Sequence, residues 1–233
     1  MSENDITRAR LAQALVRPAR TGEIVLVLGV PIGLSLASAI AWHLRRPGAT
    51  PFTDQNLLLS LGIQVLFGIG MLWFLSRRGW RPIDVAGAPE VHDLGRGFAL
   101  WLGLLAVFYF ELLALFVVAP GIVAPLRTMR LTGTLSPGVA VAGAIIDPIF
   151  EEFFFLGYAV PALGNRLGIK SAFVISVLLR VAAHAYQGRL AIIAILPVAL
   201  LLTFYFVRTG RLWPVIVAHI IQDSIALSLL GST

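Results

Sequence analysis

Residues 138–160 read GVAVAGAIIDPIFEEFFFLGYAV, a long apolar run that contains three carboxylic acids. A helix rises about 1.5 Å per residue, so about 20 apolar residues cross the hydrocarbon core of a bilayer. The run is long enough, which predicts a transmembrane helix. Asp147, Glu151 and Glu152 then lie inside the membrane, where ionisable groups are rare and usually functional.

Six other segments are apolar and long enough, or nearly so, to cross a bilayer. The composition agrees, because 58% of the 233 residues are hydrophobic and 13% are charged, whereas soluble domains have roughly 25% charged residues. We therefore predict an all-α fold, a polytopic membrane helix bundle with about seven transmembrane helices. The predicted spans are residues 24–44, 57–75, 98–118, 138–160, 171–186, 190–207 and 212–230.

The chain divides into a polar amino-terminal segment, residues 1–23, and a single transmembrane domain, residues 24–233. The first span follows four arginines and resembles a signal peptide, but its apolar run of about 21 residues is too long for a typical signal core. We interpret it as a retained anchor helix. The longest polar connection, residues 76–97, is too short to fold as a domain of its own.

Eighteen basic residues give the chain a net charge of +6 and a pI near 10.7. These charges lie in short loops between apolar runs, where they orient a membrane protein, so we expect no nucleic-acid partner. Twelve fall on one side, five on the other and one, Arg180, inside the fifth span, which predicts a multi-pass protein of the cell membrane with a cytoplasmic amino terminus. The twelve are Arg8, Arg10, Arg17, Arg20, Arg77, Arg78, Arg81, Arg96, Arg166, Lys170, Arg208 and Arg211. The five are Arg45, Arg46, Arg127, Arg130 and Arg189.

Apart from His43, which lies at a span end and can reach water, eight ionisable residues of the Asp, Glu, His and Arg types lie within the predicted spans, seven of them in the fourth, fifth and seventh. Residues four apart share one face of a helix, so these groups can converge on a polar cavity. A network that only holds helices together is the alternative. Neighbouring glutamates suit proton transfer better than helix association. The eight are Glu111, Asp147, Glu151, Glu152, Arg180, His184, His219 and Asp223.

Three short motifs follow one another, each in a separate span. Residues 151–158 read EEFFFLGY, residues 180–184 read RVAAH and residues 219–223 read HIIQD. Over about residues 138–230 the pattern resembles the CPBP family, also called Abi, of intramembrane proteases related to type II CAAX prenyl endopeptidases and bacteriocin-processing proteins. The chain departs from the family pattern twice: Leu156 stands where the first motif has arginine, and Arg180 stands where the second has phenylalanine.

The resemblance implies an endopeptidase that hydrolyses a peptide bond of a membrane-associated substrate, either a peptide or a lipidated protein. It implies that Glu151 and His184 activate a water molecule and that His219 stabilises the oxyanion. Asp223 would either orient His219 or stay protonated. Glu152 would be the fifth member of this catalytic set.

One hypothesis covers both departures: the arginine missing at position 156 is supplied by Arg180. A buried arginine needs a carboxylate partner, and either Glu152 or Glu111 is at a suitable depth. Glu152 would then either balance this arginine or assist the base. Asp147, one turn before the first glutamate, is expected to support the site.

The sequence is compatible with a site that binds zinc and with one that does not. Glu151, His184 and His219 are ligand types that zinc accepts, but a water activated by glutamate and histidine without metal explains the same residues. Two other functions also fit the buried polar groups: a non-catalytic membrane scaffold of the same fold, and a proton- or ion-coupled transporter. Glutamine at position 151 should abolish proteolysis, leave scaffolding intact and alter pH-dependent transport.

Overall fold

A computed structural model describes residues 19–45, 53–123, 135–185 and 189–231. The regular elements in these ranges are all helices, as predicted. Several residues used in the charge count lie outside the described ranges: Arg8, Arg10, Arg17, Arg46, Arg127 and Arg130.

The helices are numbered here in chain order. Two of them contain a π-helical segment, in which hydrogen bonds connect residues five apart. The helices are α1 (Thr21–Ile24 and Val30–Arg45, joined by π-helical Val25–Gly29), α2 (Asp54–Ser76), α3 (Pro82–Ala86), α4 (Val91–Val118), α5 (Pro120–Val123), α6 (Pro137–Glu151 and Ala159–Leu167, joined by π-helical Glu152–Tyr158), α7 (Ile169–Ala183), α8 (Arg189–Thr209) and α9 (Trp213–Gly231).

Four described helices are long and apolar enough to cross a membrane, and they include most of α1 and α8 and all of α2 and α4. The membrane helix bundle is thus confirmed, and the total of seven spans stays a prediction. Two predicted ends need correction. Helix α6 continues past residue 160 to Leu167 and ends at Gly168, whose φ of 82° ends the helical path. Helix α7 stops at Ala183, three residues before the predicted end.

Helix α6 is central to the packing. Its amino-terminal part contacts α2, its carboxyl-terminal part contacts α7, and α9 packs against both α6 and α4. Helix α7 also contacts α8 and α1. Residues in the second half of α6 are fully buried, among them Leu156, Tyr158 and Val160. In contrast, α2 and α4 expose large apolar side chains such as Leu66 and Phe110, as a lipid-facing surface requires.

The contact between α4 and α9 depends on a glycine. A Cβ atom at Gly97 would lie 2.5 Å from Cγ1 of Val217 and 2.9 Å from the carbonyl oxygen of Pro214. The two backbones can therefore approach this closely because position 97 has no side chain, as small residues permit between membrane helices.

A charged contact joins the start of α4 to the turn between α8 and α9 at the end of the bundle. The Arg211 guanidinium donates two hydrogen bonds of 2.8 Å to Asp93 and one of 3.0 Å to Glu90. The hydrogen bonds to Asp93 and Glu90 raise the pKa of Arg211. Asp93 also receives the backbone N–H of Glu90 and so caps the start of α4.

Candidate active site

The two adjacent glutamates lie where α6 changes from α-helical to π-helical geometry. Glu151 ends the first α-helical part and Glu152 begins the π-helical segment. Successive helical side chains point about 100° apart, and the two carboxylates meet different surroundings. The Glu152 side chain is fully buried, whereas that of Glu151 keeps 17% exposure.

Glu152 is held by two neighbouring helices. Arg180 of α7 donates from Nη1 to Oε1 at 2.7 Å and from Nη2 to Oε2 at 2.5 Å. His219 of α9 places Nδ1 2.6 Å from the same Oε1. A buried carboxylate needs this kind of pairing. Glu152 and Glu111 were the two expected partners of Arg180, and in the structure Arg180 bonds Glu152.

The contact with Glu152 determines which nitrogen of His219 carries the proton. An ionised carboxylate only accepts hydrogen bonds, so Nδ1 of His219 is the donor. The other ring nitrogen, Nε2, lies 3.6 Å from Oδ2 of Asp223. That distance is within ion-pair range but longer than a hydrogen bond. The orientation of His219 is therefore determined by Glu152, with Asp223 beside its free nitrogen.

His184 follows the last helical residue of α7. Its Nδ1 lies 2.9 Å from the carbonyl oxygen of Arg180, and since a carbonyl only accepts, Nδ1 donates. The free Nε2 lies 3.7 Å from Oε1 of Glu151. Two acceptors at this distance make no direct hydrogen bond, but a water molecule can donate to both.

Three side-chain oxygens near Glu151 are buried and have no hydrogen-bond partner among the described residues: Oε2 of Glu151, Oδ1 of Asp147 and Oε1 of Gln64. Asp147 also interacts electrostatically with Glu151, Asp223 and His219. Buried acceptors without protein donors are commonly satisfied by water. Sequence reasoning missed Gln64, although an amide in the predicted second span was a visible signal.

The structure brings seven of the eight expected residues together on α6, α7 and α9. Glu111 of α4 is the exception. Its side chain makes no ion pair with a described residue and is only partly buried. It is thus not the partner of Arg180. Leu156, at the motif position of the missing arginine, is fully buried in the apolar core.

The expected zinc ligands do not fit a metal ion. No group of three or more His, Asp or Glu side chains within the described ranges is arranged to hold one. Nδ1 of His184 and Nδ1 of His219 bond protein oxygens, so only Nε2 of each ring could bind a further ligand.

Comparison with protein families identifies a matching segment. Residues 133–225 match the family described as type II CAAX prenyl endopeptidase Rce1-like. The matched segment contains all three motifs and the residues around Glu152, and leaves α1 to α5 outside it. No curated protein and no solved structure matches the chain significantly.

Proposed function

We propose that this membrane protein is an intramembrane endopeptidase, because residues 133–225 match the family described as type II CAAX prenyl endopeptidase Rce1-like. Its substrate is a membrane-associated peptide or lipidated protein. The observation that carries the proposal is the different bonding of the two adjacent glutamates. Glu152 has both oxygens bonded by protein groups, whereas one oxygen of Glu151 bonds no described residue and the other faces Nε2 of His184 at 3.7 Å.

This difference separates the roles of the two carboxylates. A general base needs a free acceptor within reach of the water that it deprotonates. Glu151 meets that need, and Glu152 does not, because Arg180 and His219 bind it. Glu152 is therefore a positioning residue that orients His219, and Glu151 is the base.

The reaction can be followed atom by atom. A water lying between Glu151 and Nε2 of His184 loses a proton to Glu151, and its oxygen bonds to the carbonyl carbon of the peptide. The carbonyl oxygen becomes an oxyanion. The carbon–nitrogen bond then breaks, and Glu151, directly or through His184, donates the proton to the leaving amine. A water held in position next to the peptide bond reacts with a lower activation barrier than water from bulk solvent, because less entropy is lost in the reaction.

His219 is suited to bind the oxyanion only when both ring nitrogens carry protons. Its Nδ1–H is used by Glu152, so the oxyanion must be met by Nε2–H. Glu152 on one side and Asp223 on the other supply the negative charges that such an imidazolium needs. This assigns Asp223 to holding the charged form of His219.

Arg180 supports the proposal despite the two departures from the family motifs. Its side chain binds Glu152 and its carbonyl oxygen accepts from His184. One residue therefore connects the oxyanion side of the site with the water-activating side. The Arg180 side chain from α7 binds the first-motif carboxylate of Glu152, so the two departures from the motifs are consistent with an intact site.

We place the chain in the cell membrane with a cytoplasmic amino terminus. Arg78 bonds Glu23 and Arg166 bonds Thr21 near the start of α1. These contacts gather basic residues from the ends of several helices at one end of the bundle. An excess of basic residues favours the cytoplasmic side.

Substitution of the two glutamates tests the proposal. Membrane peptidomes of cells with wild-type protein are compared with those carrying Glu151→Gln or Glu152→Gln at matched abundance. We expect Glu151→Gln to lower cleavage by about 10²- to 10⁴-fold, because a general base is lost. It should keep the wild-type melting temperature, since Oε2 of Glu151 bonds no described residue. Glu152→Gln should lower both cleavage and melting temperature.

Each outcome has a distinct meaning. Peptide ends present only with the wild type identify the substrate and support proteolysis. Identical peptidomes for wild type and a folded Glu151→Gln protein contradict the proposal and favour the scaffold function.

A further inference from the structure

The end of α7 is held by a helix outside the family-matched segment. The last four carbonyl groups of a helix have no partner within it. At the end of α7, the Ser35 hydroxyl of α1 donates a hydrogen bond of 2.5 Å to the carbonyl oxygen of Ala183. Serine in a helix commonly bonds a carbonyl one turn earlier, as Ser224 does with Ile220. Ser35 instead bonds a different helix.

The bonded carbonyl belongs to the peptide that leads into His184. Because a peptide unit is planar, fixing the Ala183 carbonyl also fixes the direction in which the His184 backbone leaves the helix. The imidazole is held separately through Nδ1 and the Arg180 carbonyl. His184 is thus restrained at its backbone by α1 and at its ring by α7.

Contacts at the start of α1 hold its other end in place. Arg166 donates to Thr21 Oγ1 at 2.7 Å, and the Tyr158 hydroxyl donates to Glu23 at 3.0 Å. Ser35 follows Thr21 by 14 residues (35 − 21), and Ala183 follows Ile169 by 14 (183 − 169). Each α-helical residue adds about 1.5 Å, so α7 and the α-helical parts of α1 rise from one end of the bundle in similar steps, and the Ser35 hydroxyl meets the Ala183 carbonyl.

We propose that Ser35 is a positioning residue for His184 and that α1 is therefore part of the active site. The role in catalysis rests on the proposed function, since it assumes that His184 helps to activate water. The restraint on His184 itself does not depend on that assumption, so it can be tested separately.

The first test measures cleavage kinetics with a substrate identified from the peptidomes. Ser35→Ala removes the hydroxyl, Ser35→Thr keeps it, and Ser38→Ala changes an exposed serine of the same helix. Loss of one hydrogen bond predicts that Ser35→Ala lowers kcat about fivefold to tenfold. KM should stay unchanged because the Ser35 hydroxyl donates to the Ala183 carbonyl and so acts on the position of His184. Ser35→Thr should recover most of the activity, and Ser38→Ala should match the wild type.

The second test needs no substrate. The chain has only four histidines, so nitrogen-15 labelling of histidine gives a simple spectrum in which His184 is assigned by substitution. We expect Ser35→Ala to shift or broaden the His184 ring signals while those of His219, held by Glu152, stay in place. Ser35→Thr should restore the wild-type His184 signals.

The outcomes separate this inference from the proposed function. Unchanged His184 signals in Ser35→Ala overturn the inference, as does a wild-type kcat in that variant when Glu151→Gln abolishes cleavage. Cleavage that survives in Glu151→Gln overturns the proposed function, whatever Ser35→Ala does to the spectrum.

Discussion

Removal of the Arg180 guanidinium tests the central ion pair of the site. Arg180→Met keeps most of the side-chain volume and leaves Glu152 with His219 as its remaining partner. The two charged side chains are 2% and 0% exposed, so water cannot replace the lost hydrogen bonds. Breaking a buried pair by removing one partner costs about 3–5 kcal/mol.

This cost converts to a large change in thermal stability. For a chain of this size, 1 kcal/mol corresponds to about 2–4 °C, so Arg180→Met should lower Tm by roughly 6–20 °C. Adding Glu152→Gln removes the unpaired charge and leaves an amide oxygen that still accepts from His219. The double variant should therefore recover at least half of the lost Tm.

The assay follows the detergent-solubilised protein by size-exclusion chromatography after heating. Arg81→Met is the control, because Arg81 pairs with Asp84 at the surface and its side chain is 69% exposed. Exposed pairs contribute little, so its Tm should equal that of the wild type. Equal Tm values for Arg180→Met and Arg81→Met, or a double variant no better than the single one, would refute the reasoning.

Two further predictions concern helix packing, measured by the same assay. Gly97→Ala should destabilise the protein by about 1–3 kcal/mol because the new methyl group overlaps Val217. Gly95→Ala is the control, since position 95 has open space around it, and should be neutral or stabilising. Similar Tm values for the two variants would contradict the close approach of α4 and α9. Tyr158→Phe should cost about 1–2 kcal/mol by removing a buried hydrogen bond to Glu23, and an unchanged Tm would show that this contact does not hold α1.

Sequence reasoning identified the residues of the site better than their bonding. The sequence predicted that Glu152, Arg180 and His219, which lie in three separate spans, can converge inside the membrane. That prediction needs only the helical rise and periodicity, which follow directly from the sequence. It left two partners open for Arg180, since depth in the membrane does not specify how each helix is rotated about its axis. The rotation of each helix is determined by the packing of the whole bundle. That packing makes Glu152, and not Glu111, the partner of Arg180.

Two other features had no signal in the sequence. The Ser35 contact ends on a backbone carbonyl, which every residue possesses, so no side-chain pattern marks it. The π-helical segment of α6 makes contacts with distant residues, including the hydrogen bond of 2.6 Å from Ser176 to the Phe155 carbonyl. Such contacts between distant parts of the chain appear only once the helices are assembled.

The adjacency of Glu151 and Glu152 on one helix limits how the protein can open. A rotation of α6 by about 20° would move its Cα atoms by about 0.8 Å, given a helix radius of about 2.3 Å, and the carboxylates by more. That movement would break the hydrogen bonds of Glu152 while it moved Glu151. Opening that preserves these hydrogen bonds therefore keeps α6, α7 and α9 fixed relative to one another, and any displacement falls on the helices outside these three.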